Sequence, residues 1–329
     1  MIKLDKTFPT NDCSICTAAP KMVEISRHPN IKLLTYSEIA RLDGEKGNFT
    51  AHVFRKSRYV DPHKCTGCDD CTAVCPVEVA RPLEAKLSKR KAIHIEFPQA
   101  VPIVYTIDYD ACVGCGSCER FCEPGAISFL EKSEDIEVKV GSVIVASGFE
   151  LFEPLEMRKE YGYGKYPNVI TAMQFERLLS SFGPTEGKPR RPSDGEKPKS
   201  IAWIQCVGSR SKQLGFPYCS RVCCMYATKE ALLAKEHAGA DLQCDIYFMD
   251  LRAFSKGFEE YYNRAKAQGV RYIRYRPAKV SQAPGTDNLR LECLVDDEEF
   301  VDPEYDLVVL SAGLMPPRSA SRLAEKFGL

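Results

Sequence analysis

The sequence predicts an α/β protein interrupted by a compact α+β insertion. Three observations point there. Strand-like alternation stops near residue 56 and resumes near residue 136; two cysteine runs of identical spacing fill the interval; and a strand–helix–strand pattern follows over 199–280. The 329 residues are enough for two or three domains.

Composition narrows the function classes. The 45 basic side chains balance 45 acidic ones, so the chain lacks the basic excess of a nucleic-acid binder. No apolar run approaches the roughly 18 residues of a membrane span, and no basic-then-apolar leader opens the chain. The outlier is cysteine, with 16 residues. Without an export signal these read as metal ligands in a reducing cytoplasm, not as a disulfide scaffold.

Residues 1–56 contain PTNDCSIC, in which Cys13 and Cys16 form a C-x2-C. This pair reads as a redox couple, half of a cluster site, or extra ligands for a later site. Residues 29–55 alternate polar and apolar side chains around Gly44 and Gly47, the pattern of a β-meander.

Residues 57–130 carry the strongest signal. Cys65, Cys68, Cys71 and Cys75 are spaced C-x2-C-x2-C-x3-C and followed by Pro76; Cys112, Cys115, Cys118 and Cys122 repeat the spacing, followed by Glu123 and Pro124. This is the two-cluster ferredoxin signature, in which the fourth cysteine of each run reaches the other cluster. One [4Fe–4S] cluster is therefore expected on Cys65, Cys68, Cys71 and Cys122, and a second on Cys112, Cys115, Cys118 and Cys75. Zinc sites favour two C-x2-C pairs separated by a longer span, which fits poorly. His63 and His94 read as surface or packing residues.

Residues 131–198 resume the strand pattern, with VIVASG at 143–148 expected as a buried strand, and close in a polar Pro/Gly linker over 184–199. Residues 199–280 read as a Rossmann-like βαβ unit: strand to Gln205, helix from Cys223 to His237, strand from Leu242. The turn lacks G-x-G-x-x-G and holds Cys206, Cys219, Cys223 and Cys224 instead. These predict a third [4Fe–4S] site in place of a nicotinamide-nucleotide site, with buried or redox-active thiols as the alternative. The vicinal pair is awkward, because neighbouring helical side chains diverge by about 100°; Cys13 or Cys16 is the substitute ligand. Cys244 and Cys293 lie in apolar strand patterns and read as core. The segment 252–279 is rich in Lys and Arg and is expected to dock an acidic partner. Residues 289–313 return to strands, first LRLECLV from Leu289 and then LVVLSAG at 307–313.

The chain resembles the A-type subunit of heterodisulfide reductase and its relatives in anaerobes. The stretches LDKTFPTNDCSIC, RHPNIKLLTYSE, KCTGCDDCTAVCPVEV, YGYGKYPNVIT, WIQCVGSR, YCSRVCCMYATK and MDLRAFSKGFEEYY carry the resemblance. It implies a thioredoxin-reductase-like, two-dinucleotide-domain flavoprotein core with the ferredoxin domain inserted. Residues 1–56, 131–198 and 281–329 would belong to an FAD domain, and 199–280 to the second dinucleotide domain. FAD is implied beside the strand ends Ala146, Ser147, Gly148 and Gly313. The family's FAD pyrophosphate turn lies before LDKTFPT, which starts here at Leu4, and its further cluster domains have no counterpart. A fragment, split-gene subunit or trimmed variant is expected, not competent for full turnover alone.

The expected function is electron transfer in a cytoplasmic complex, between FAD, the [4Fe–4S] clusters and partner subunits, with flavin-based bifurcation in some members of the family. A ferredoxin, hydrogenase or dehydrogenase would be the electron partner. The competing readings are a flavin-free polyferredoxin-type carrier and a cluster-containing interaction module. No Ser/His/Asp or paired-carboxylate constellation supports hydrolytic chemistry.

Overall fold

The computed structural model describes residues 2–294, 300, 301 and 303–328. The chain divides into two compact units: residues 17–148 with 317–329, and residues 1–16 with 149–316. Helix α1 (Ser14–Arg27) begins in one and continues in the other.

In the first unit, β1 (Ser37–Glu45) and β2 (Asn48–Arg55) form a hairpin turning at Gly44 and Gly47, both at positive φ. A Cβ on Gly44 would meet the Asn48 carbonyl oxygen at 2.2 Å, so the turn requires glycine there. The insertion follows, with two one-turn helices, α2 (Asp70–Ala73) and α3 (Ser117–Arg120). Then β3 (Glu134–Val140) completes an antiparallel sheet of order β1-β2-β3. Arg55 pairs with Glu134, so the insertion leaves and returns at one point of a continuous ladder. The meander is thus narrower than expected: residues 29–36 form no strand, and its third strand lies beyond the insertion. The insertion has its own core of Val60, Ile93, Val104, Tyr105, Ile107, Ala126 and Ile127 against Cys71 and Cys118.

The expected strand at 143–148 is not formed. Ile144 is 91% exposed, and Val145 and Phe149 are exposed too. An apolar run becomes a buried strand only where a ladder and a facing layer receive it, and within the described residues neither does.

The second unit is built on five parallel strands. β4 (Val169–Thr171) leads into α4 (Ala172–Leu179), which starts in a Thr171/Gln174 capping box. β5 (Ser200–Val207), α5 (Cys223–Ala238), β6 (Gln243–Tyr247), α6 (Phe258–Ala267) and β7 (Val270–Ile273) follow, and β8 (Leu307–Ala312) enters between β5 and β4. The order is β7-β6-β5-β8-β4, with every neighbouring pair parallel. Such strands are covered on both faces, which explains the unbroken apolar runs of β5 and β8. Trp203 is fully buried, edge-on to Phe175 at 5.5 Å; each such side chain contributes roughly 1.5–3 kcal/mol of burial. Because β8 pairs with β5, residues 307–312 join the sheet of 199–280 and do not return to a separate FAD domain, and residues 131–198 divide at 148/149. Val295, the end of the strand expected from Leu289, lies outside the described residues.

Candidate metal centres

The insertion gathers its eight cysteines around two cavities. One, of about 20 Å³, is lined by Cys65, Cys68, Cys71 and Cys122. The other, of about 10 Å³, is lined by Cys75, Cys112, Cys115 and Cys118. The crossing of the fourth cysteines follows from the chain path: each run ends on a one-turn helix that packs beside the other. Cys71 and Cys118 are buried, whereas Cys68 and Cys115 are exposed. Burial pushes the Cys71 thiol up to about 12, with the Asp69 charge adding to it, and Cys118 up to about 11. The Ser117 backbone and hydroxyl lower Cys115. Among the described residues no three His, Cys, Asp or Glu side chains converge on a point for one ion. Four thiols around a cavity suit a four-iron core, whose ligands bind separate corners. His63 is exposed, and His94 is buried among Arg90, the Ala92 carbonyl and Glu96, neither with a role at the cavities.

A third group of thiols stands at the carboxyl ends of β5 and β8, the point where the parallel sheet reverses its winding. Open α/β sheets bind their ligands there. Cys206 leaves β5 at φ 60°, and Gly208 follows at φ 67°. Cys223 Sγ lies 3.9 Å from the Ala312 carbonyl oxygen at the end of β8, and Cys224 Sγ lies 3.8 Å from that of Asp250 after β6. The vicinal thiols thus diverge as helical geometry requires, yet both stay buried at the first turn of α5. Burial pushes Cys223 to about 12 and Cys224 to about 11, and the charges of Cys206 and Cys219 add to both, so the four thiols are electrostatic neighbours. Burial also raises Cys206, opposed by Arg210, which hydrogen-bonds it. Arg210 in turn pairs with Asp250. Thiols held protonated in this way would release protons on loading a metal centre.

Cys13 and Cys16 are joined to each other as a disulfide. Cys244 and Cys293 are buried in the core. Of the four strand-end residues, Ala146, Ser147 and Gly148 belong to the first unit and Gly313 to the second. A Cβ on Gly313 would meet Ser209 Cβ at 2.9 Å and Ser220 Oγ at 3.0 Å, so packing alone accounts for that glycine. Val143 is half-buried and 144–148 are exposed.

The basic segment is mostly occupied internally. Arg271 pairs with Asp245, Arg274 bonds the Met249 carbonyl, Arg276 the Tyr161 hydroxyl and Arg264 the Pro9 carbonyl. These side chains make internal ties and yet stay exposed at Arg264, Arg271 and Arg274. Sequence reading missed Arg210 beside Cys206, and it missed the fully buried Lys229 and Glu230 on α5. Their signal was two charges inside an otherwise apolar helical run, YATKEALLA.

A family model described as a 4Fe-4S dicluster domain matches residues 64–127. The chain is 54% identical over 99% of its length to the second A-type iron-sulfur subunit of the CoB--CoM heterodisulfide reductase of Methanopyrus kandleri. It is 49% identical to the A-type iron-sulfur subunit of the CoB--CoM heterodisulfide reductase of Methanocaldococcus jannaschii, and 47% identical to the A-type subunit of the H(2):CoB-CoM heterodisulfide,ferredoxin reductase of Methanothermobacter marburgensis, each over its whole length. The chain spans about half the length of these curated relatives. Among the described residues no helix is long and apolar enough to cross a membrane. With cysteine runs, dicluster domain and whole-chain identity in agreement, the chain belongs to the family of heterodisulfide reductase A-type subunits.

Proposed function

We propose that the chain is an electron-transfer part of a cytoplasmic heterodisulfide-reductase-like complex. In this reading it relays electrons between an FAD and a partner subunit through [4Fe–4S] centres. Cys65, Cys68, Cys71 and Cys122 hold one centre; Cys112, Cys115, Cys118 and Cys75 hold the second; Cys206, Cys219, Cys223 and Cys224 hold a third. The single observation that carries it is the sorting of eight cysteines around two separate cavities, each completed by a cysteine from the other run. The protein's task is to position these centres and tune them through burial, hydrogen bonds and charge. The Arg210 guanidinium beside Cys206 is the clearest tuning group at the third site. A ferredoxin, hydrogenase or dehydrogenase is the class of electron partner, and bifurcation would need a flavin placed between two such routes.

One observation favours a second reading, a flavin-free iron–sulfur carrier: Ala146, Ser147 and Gly148 lie on an exposed segment outside any strand. Anaerobic purification with iron, sulfide and flavin analysis separates the two. About twelve irons with stoichiometric flavin supports the first reading, and the same iron without flavin supports the second. Zinc in place of iron would remove both.

A further inference from the structure

The two cysteine runs fold into matching loops, and one of the positions at which their sequences differ is the residue that opens each helix. In each, the residue after the second cysteine takes a left-handed conformation and starts the one-turn helix: Asp69 at φ 75° and Gly116 at φ 71°. That conformation favours glycine and costs an aspartate a modest amount of conformational energy. Sterics do not force the difference, because a Cβ on Gly116 would meet nothing within 4 Å. Asp69 is held in place: its Oδ1 accepts hydrogen bonds from Tyr105 Oη at 2.6 Å and Thr72 Oγ1 at 2.7 Å. Asp69 and Asp70 both line the cavity of Cys65, Cys68, Cys71 and Cys122, whereas no charged residue lines the other cavity.

We propose, resting on the dicluster reading, that Asp69 sets the order of reduction within the insertion. The centre held by Cys75, Cys112, Cys115 and Cys118 takes the first electron from a low-potential one-electron donor. Its core goes from the 2+ to the 1+ level while the donor is oxidised by one electron; the centre beside Asp69 is reduced second. The physical reason is charge. A cluster on four thiolates is already anionic, and an adjacent carboxylate disfavours a further electron, lowering the potential. Hydrogen bonds to sulfur act the other way, and they are more numerous at the second site, which favours the same order. The Ala126 N–H donates to Cys122 Sγ at 3.3 Å in one, and the Gly114 N–H donates to Cys112 Sγ at 3.4 Å in the other. The Ser117 hydroxyl, 3.5 Å from Cys115 Sγ, adds to the second. Asp69 is exposed, so salt weakens its effect without removing it.

The test is potentiometric titration of the whole reconstituted chain, followed by electron paramagnetic resonance, for wild type, Asp69→Asn and Gly116→Asp. In wild type the insertion should show two midpoint potentials. Asp69→Asn should move the lower one positive and leave the upper one in place. Gly116→Asp, which has room for its side chain, should move the upper one negative. The third site's signal serves as the internal control. The gap between the two potentials should narrow as salt rises. The proposal is overturned if Asp69→Asn moves the upper potential or neither one while iron content stays at the wild-type level. Failure of the chain to hold about eight irons in the insertion would instead overturn the dicluster reading, and this ordering with it.

Discussion

Lys229 Nζ lies 2.5 Å from Glu176 Oε1, and both side chains are buried, at 0% and 2% exposure. The pair ties α5 to α4, and Lys229 also donates to the Lys6 carbonyl at 2.9 Å. Beside it Glu230 accepts from Trp203 Nε1 at 2.9 Å. Burial, reinforced by the Glu176 charge, pushes the Glu230 carboxyl well above its ordinary range, so it keeps its proton. Lys229 and Glu230 sit one to two turns after the vicinal cysteines on the same helix.

Removing one partner of a buried pair strands the other charge. Glu176→Ala should therefore cost about 3–5 kcal/mol in urea unfolding. Replacing both partners with apolar residues, as in Glu176→Leu with Lys229→Met, should recover most of the loss. A single variant as stable as wild type would show that water reaches the pair.

The thiols divide into site and core by position. Cys219→Ala should leave about eight of about twelve irons, and the insertion's two signals should persist. Cys293→Ala should keep the full iron content, because Cys293 lies in the core of the same unit, in the strand Leu289–Leu294. Equal iron loss in both variants would mean that folding, not ligation, governs the count.

How much was legible in the sequence follows from how local each feature is. The dicluster insertion could be read because a C-x2-C-x2-C-x3-C run carries its own geometry. The βαβ unit from Ser200 to Tyr247 could be read because fully buried parallel strands give unbroken apolar runs. VIVASG gave the same kind of run and yet lies exposed, since periodicity describes a strand's preference and not its partner. The pairing of β8 with β5 was hidden by the distance of 100 or so residues between them. Arg210 was hidden because a single basic residue in a loop carries no pattern; only the fold brings it to Cys206.

Gly208 stands in the loop between Cys206 and Cys219. Its φ is 67°, and a Cβ there would meet the Phe152 ring at 2.0 Å, with Phe152 itself buried. Gly208→Ala combines backbone strain of roughly 1–3 kcal/mol with overpacking of roughly 1–3 kcal/mol. Because it lies between Cys206 and Cys219, iron at the proposed third site should fall alongside the unfolding midpoint. Iron in the insertion should stay. A fully loaded, wild-type-stable variant would show that the loop can shift away from Phe152.

Alkaline pH offers a test of the core through Cys244. Burial pushes this thiol from an ordinary 9.0 to about 12, and its Sγ lies 3.8 Å from the Ala231 carbonyl. In the folded chain the thiol stays neutral through that window, whereas in the unfolded chain it ionises above pH 9. The unfolded state then binds fewer protons, so stability falls as pH rises, by up to about 1.4 kcal/mol per pH unit for one group. Below pH 9 both states carry the proton and the slope from this group vanishes. Tyr247, also raised to about 12 by burial, adds its own contribution above its ordinary 10.0. Comparing wild type with Cys244→Ala isolates the thiol: the alanine variant should start less stable at pH 8, and the difference should shrink steadily between pH 9 and 11. Urea midpoints under anaerobic, reducing conditions at four pH values measure it. A difference that stays constant with pH would mean the thiol ionises as readily in the folded chain as in the unfolded one, and that water reaches β6.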